Sequence, residues 1–151
     1  MTGPTALAPV MTADEINAYV ADVYPQLTTQ HGEFVTTEVF PGGCVVRVEA
    51  GERHFRAGDT VSGPTLMTLA DMGGYVCVLS HLGRVPLSVT VNLNINFMRK
   101  ASAGPIDAHC RILKLGRSLL VYDAELVWGR DRIVVAHATG TYSIPPGTVR
   151  P

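Results

Sequence analysis

The stretch PTLMTLADMGGYVCVLSHL, residues 64–82, is apolar or small on nearly every face of a helix and carries one charge, Asp71. A helix at the water surface keeps a polar stripe, so a helix of this kind has to be wrapped by other structure. Pro64 suits its first turn, Ser62 or Gly63 can cap its start, and Gly83 suits its stop. It is long enough to span a bilayer. Asp71 near the middle, the Gly73-Gly74 pair, the hydroxyls and His81 weigh against a membrane, so the helix is expected at the centre of a soluble fold.

The remainder supplies the wrapping. Thr12 and Glu15 have capping-box spacing, and Ile16, Tyr19, Val20, Val23 and Tyr24 recur at helical intervals, which predicts a short amphipathic helix ending near Pro25. The Pro- and Ala-rich residues 1–11 before it are expected to fray. FVTTEVF and CVVRVEA flank the turn residues Pro41, Gly42 and Gly43 as a hairpin. After residue 87 the chain reads as four strands, with turn signals at Ala103-Gly104-Pro105, Gly116-Arg117-Ser118 and Gly129-Arg130-Asp131. Those signals predict consecutive antiparallel neighbours. A chain of 151 residues has material for one core. The expected class is α+β, an antiparallel sheet wrapped around a long central helix, with residues 1–33 as an N-terminal extension and 34–151 as a single domain.

Charge and cysteine usage narrow the partners. Twelve Lys and Arg face thirteen Asp and Glu, giving a net charge of -1, so no nucleic-acid partner is expected. The basic residues are unevenly placed: between residues 99 and 117, Arg99, Lys100, Arg111, Lys114 and Arg117 face only Asp107. The five histidines and three cysteines lack ligand spacing, so neither a metal nor a cofactor is expected. Cys44, Cys77 and Cys110 sit in apolar stretches and read as reduced core thiols. No basic residue precedes Arg47, so no secretory leader is expected and the cytoplasm is the expected location.

Three features can carry chemistry. Asp71 has only Met67, Thr68, Gly74 and Tyr75 at helical contact distance, so no cation on its own helix offsets its charge. It reads as a cleft-lining acid or base, or else as a carboxylate bound to a hydroxyl or at a subunit contact. The turn GDTVSGPT mimics a phosphate loop, but Pro64 stands where the lysine belongs, so a nucleotide triphosphate site is unsupported. What remains is either an ordinary helix cap or a helix start whose Gly63 N–H can polarise a carbonyl. Residues 89–97 alternate strictly, with Thr90, Asn92, Asn94 and Asn96 on one face, which suggests a polar interface or a wet site. No serine lies in the GxSxG elbow of common hydrolases.

The segment VSGPTLMTLAD, followed by VTVNLNINFMRKA, GRSLLVYDAEL and VVAHATGTYSI, resembles the PaaI-type branch of the hotdog-fold acyl-CoA thioesterases, whose signature is HGGxxxxLAD. The likeness covers residues 34–144. It implies a hotdog fold and hydrolysis of an acyl-CoA to free acid and coenzyme A. Asp71 matches the catalytic general base or nucleophile, Gly63 the glycine whose N–H polarises the thioester carbonyl, and Thr90 a hydroxyl that places the water. Ser62 and Asn92 are expected near the substrate, with Arg99, Lys100 and Arg117 meeting the phosphates of coenzyme A. The resemblance implies a homodimer or homotetramer in which the glycine of one chain faces the aspartate of another. Ser62 replaces the signature histidine and Pro64 its second glycine, which leaves open an acyl-CoA-binding or assembly module without hydrolysis. A hydroxyacyl dehydratase is the other reading: His54 and Gly63 fit its spacing, but Thr68 stands where its glutamate belongs.

Overall fold

Ser62 opens the central helix by accepting a bond from the Thr65 amide at 3.3 Å, and Gly83 closes it at φ 88°. This helix, α3 (Gly63–Leu82), is buried along most of its length in the computed structural model, which describes residues 7–31 and 33–150. Helix α1 (Ala13–Val23) and the short α2 (Pro25–His31) precede strands β1 (Phe34–Phe40) and β2 (Gly43–Ala50). A small ladder of β3 (Phe55–Arg56) and β4 (Thr60–Val61) leads into α3. Strands β5 (Thr90–Phe97), β6 (Gly104–Leu115), β7 (Leu119–Trp128) and β8 (Ile133–Ser143) follow. The main sheet has the order β1-β2-β6-β7-β8-β5, all antiparallel, and curls around α3 as the α+β hotdog reading requires.

The core lies between the concave face of the sheet and α3. Leu120, Tyr122, Ala124 and Leu126 from β7 are fully buried, as are Leu69, Ala70, Val78 and Leu79 from the helix. Each large aliphatic side chain among them contributes about 1.5–3 kcal/mol by leaving water. Close approach depends on two glycines. A Cβ on Gly74 or on Gly140 would come within 2.4 or 2.5 Å of the Tyr122 ring, which is therefore clasped between helix and β8. The Tyr122 hydroxyl donates to the Ala70 carbonyl at 2.9 Å. Cys44, Cys77 and Cys110 are free, buried thiols between helix and sheet. Among the described residues, no helix is long and apolar enough to cross a membrane.

Three local readings of the sequence are corrected. Strand β5 is not the neighbour of β6: β2 occupies that edge of β6, from Gly43↔Arg111 to Ala50↔Gly104, and β5 pairs with β8 at the far edge. Residues 98–103 are a crossover rather than a hairpin turn. The Met98 and Arg99 amides both donate to the Val135 carbonyl, and the Ala101 carbonyl accepts from the Val61 amide. Within β5 the alternation is broken. Thr90 pairs with Tyr142 and Asn92 with Thr141, which leaves Val91 as an extra residue. Thr90 therefore shares the helix-facing side with Leu93, Ile95 and Phe97, while Asn92, Asn94 and Asn96 face outward.

The N-terminal segment is the third correction. Residues 7–11 are held in place: the Val10 amide donates to the Ser80 carbonyl at 2.7 Å, Leu7 accepts from Gly42, and Met11 is buried. The first six residues of the expected frayed stretch lie outside the described ones. Helix α1 starts with the Thr12/Glu15 capping box and buries Ile16 and Val20. Asn17 fastens it to β1, donating to the Thr36 carbonyl and accepting from the Thr36 amide where the β1–β2 register shifts.

Candidate active site

Asp71 sits on the face of α3 that looks toward β8 and β5. Burial alone would be costly for its carboxylate, and the sheet supplies what the helix cannot. The Thr90 hydroxyl donates to Oδ1 at 2.6 Å and the Tyr142 hydroxyl donates to the same oxygen at 2.9 Å. Such short bonds are typical of hydroxyl donors to an ionised carboxylate. The bulge at Val91 is what turns Thr90 toward the helix. Oδ2 has no protein donor among the described residues, so this oxygen is left for a water or a substrate atom.

Tyr142 is the member of this set that the sequence did not reveal. Burial pushes its phenol well above the usual range and the Asp71 charge pushes the same way, so it remains a proton donor. Its ring stacks on Tyr75, with centroids 6.1 Å apart and planes at 20°, and burial raises the Tyr75 phenol to about 12. A cavity of about 300 Å³ opens beside Asp71, lined by Met72, Tyr75, Ser88, Thr90 and Tyr142 and by Val23 from α1. It is mostly apolar with one carboxylate at its wall, the composition of a small-molecule site.

The start of α3 forms a separate feature. The first amides of a helix have no partner within it, and the Ser62 side chain takes only that of Thr65. Pro64 has no amide proton to offer, and the Gly63 N–H has no protein acceptor among the described residues. The Phe97 ring packs over this glycine, where a Cβ would lie 3.4 Å from it. Along the helix, Gly63 and Asp71 are about 12 Å apart, eight residues at the usual rise. One chain therefore cannot bring the two onto the same carbonyl.

The remaining expected substrate contacts are spread over the molecule. Arg99 and Lys100 lie between Phe97 and Ala101, both of which touch the approach to α3. Arg117 lies beyond the other end of β6, whose twelve residues span about 40 Å. Arg111 is paired with Asp123 at 3.2 Å on the outer face. The basic run of the sequence is thus not one patch. Asn92 points away from Asp71, and the Ser62 hydroxyl is used within its own turn, against the Thr65 amide and hydroxyl. Among the described residues no group of His, Cys, Asp or Glu is arranged to hold a metal.

An antiparallel sheet rolled on a buried helix, with one hydroxyl-anchored carboxylate on that helix, defines a hotdog-fold protein with an enzyme-like cleft. Residues 58–135 match the model of the thioesterase superfamily, and the chain belongs to that family. The crystal structure of a candidate thioesterase from Silicibacter sp. TM1040 is 42% identical, with a TM-score of 0.84 over 94% of this chain and 97% of that one. A candidate esterase of Pseudomonas aeruginosa is 36% identical over 67% of this chain and 75% of its own length. The phenylacetic acid degradation protein PaaI of Thermus thermophilus, solved as a point mutant, has the same fold at 24% identity. Its TM-score is 0.69, over 80% of this chain and 99% of that one, a likeness of fold. In general terms the chain is a thioester hydrolase.

Proposed function

We propose that this protein hydrolyses an acyl-CoA thioester, with Asp71 as the general base or nucleophile and Gly63 of a second copy polarising the carbonyl. The observation that carries the reading is the double anchoring of Asp71 Oδ1 by Thr90 and Tyr142, which leaves Oδ2 without a protein donor among the described residues on a side chain that lines a mostly apolar cavity. In the general-base form, Oδ2 takes a proton from a water whose oxygen bonds to the thioester carbon. The Gly63 N–H of the second copy steadies the oxyanion, the C–S bond breaks, and the departing thiolate takes up the proton. Preorganised donors of this kind act strongly because they need no rearrangement as charge develops.

Assembly follows from the separation of Gly63 and Asp71. Strand β5 is an edge strand, and its Val91 and Phe97, with the flanking Val89 and Met98, are all about half exposed. We assign this edge to a homodimer contact, alone or within a homotetramer, that brings one copy's Gly63 to the other's Asp71. Arg99, whose guanidinium also donates to the Val134 carbonyl at 2.9 Å, and Lys100 are assigned to the coenzyme A phosphates because they follow the Phe97 that packs on Gly63; the single chain holds Arg117 and Asn92 away from that segment. The catalytic unit is assigned to residues 34–151 and the accessory extension to 1–33. Buried free thiols suit a reducing compartment, which supports a cytoplasmic location.

A second reading rests on Ser62 and Pro64. The Ser62 hydroxyl is occupied as a cap and Pro64 offers no N–H, so the helix start is poorer in donors than the family signature. A protein of this kind could bind acyl-CoA without cleaving it. Dehydration is disfavoured, because Thr68 donates to the Pro64 carbonyl and supplies no acid. The deciding experiment is turnover of an acyl-CoA panel by the wild type and Asp71→Asn. A fall of about a hundredfold or more in kcat with the fold intact is expected. Unchanged turnover overturns the role of Asp71, and tight binding without release of coenzyme A establishes the second reading.

A further inference from the structure

The cavity beside Asp71 stops at Met72, and another begins behind it. This second cavity, of about 200 Å³, lies beneath α1, with Val20, Leu27, Phe34, Val46 and Val76 as its apolar wall and Asn17, Thr28, Glu33 and Thr36 on its polar side. Met72 is the one side chain among the described residues that lines both. Tyr75 and Val76, three and four positions further along α3, mark the two sides of this partition. Val23 and Val20, one turn apart on α1, face the first and the second space respectively.

We propose that Met72 is a movable partition that sets the acyl length, and that the second cavity receives the distal part of a straight-chain fatty acyl group. The proposal rests on the acyl-CoA reading only in that the acyl chain enters past Asp71. Methionine suits the role because it is unbranched, with three rotatable bonds and a polarisable sulfur, so it fills a gap or leaves it at low cost. A β-branched residue there would be a stiff wall. The space behind is built rather than incidental, since Asn17 pins α1 to both the amide and the carbonyl of Thr36 and so holds the roof at a fixed height. At about 30 Å³ for each water-sized group, the first cavity takes roughly ten non-hydrogen atoms and the second roughly seven more.

The test measures affinity for S-alkyl-CoA thioethers, which cannot be hydrolysed, from butyl to hexadecyl. With apolar surface available, each added methylene raises affinity about fourfold. The wild type should show this gain past the capacity of the first cavity, and Met72→Phe should end it there. Val20→Phe, which fills the second cavity from its far side, should impose the same limit without touching Met72. Met72→Ala should raise the hexadecyl-to-butyl affinity ratio about tenfold or more, a ratio that cancels any general loss of folded protein. The same length limit in all four proteins overturns the proposal. Hydrolysis of the matching acyl-CoAs by wild type and Asp71→Asn is read separately. A shifted length profile without Asp71-dependent turnover defeats the active-site reading alone, and turnover with an unshifted profile defeats the partition alone.

Discussion

The Tyr142 hydroxyl lies 2.9 Å from Asp71 Oδ1, joining residues 71 positions apart in the chain, and shares that oxygen with Thr90. The same hydroxyl lies 3.0 Å from the Asp71 main-chain carbonyl, so one phenol holds both the carboxylate and the turn of helix that bears it. Tyr142→Phe removes this hydroxyl and keeps the ring stacked on Tyr75. The expected result is a loss of about tenfold in kcat with a stability change of about 1–2 kcal/mol. Combined with Thr90→Val, the loss should be non-additive, because both donors serve one oxygen; steady-state kinetics on the double-mutant cycle measure this.

The division of the site between two copies is open to complementation. Gly63→Pro removes the N–H while keeping a helix-compatible φ, and Asp71→Asn removes the carboxylate, so each protein alone should be inactive. After unfolding and refolding together in equal amounts, about half the dimers are hybrids with one intact site, and activity should return to about a quarter of wild type. No recovery, with hybrids demonstrated by mass spectrometry, would place both groups within one chain's site.

Gly74 is predicted to be intolerant of any side chain. Its added methyl would meet the Tyr122 ring, which Gly140 blocks from the other side, so Gly74→Ala should destabilise the fold by about 1–3 kcal/mol. Tyr122→Leu in the same chain should recover part of that loss. Chemical denaturation of the wild type, the single variant and the double variant gives the comparison.

Acid stability should depend on His81. This ring is buried, its Nε2 accepts from the Gly42 amide, and burial lowers its pKa from 6.5. The folded state favours the neutral ring, so the unfolded chain binds more protons between the two pKa values. The stabilisation is therefore present above about pH 6.5 and lost as pH falls through the lowered folded value. Urea midpoints measured from pH 7.5 downward should fall, and His81→Gln should flatten the decline.

The long helix, its start at Ser62 or Gly63 and its stop at Gly83 were legible in the sequence because they depend on local chemistry: an apolar period, a cap, a glycine. Asp71 stood out for the same reason, as the lone charge among apolar neighbours, and the strands were readable from their alternation. Other relationships depended on which distant segments pair. Only the sheet's order put β5 beside β8, only the Val91 bulge turned Thr90 to the carboxylate, and only the closing strand brought Tyr142 to it. The basic run looked like one patch in the sequence, yet the length of β6 holds Arg117 far from Lys100. A side chain's wish to be buried or capped is written in its nearest neighbours. Its partner across the core is settled only when the sheet closes on the helix, because register and strand order are chosen by the packing of the whole.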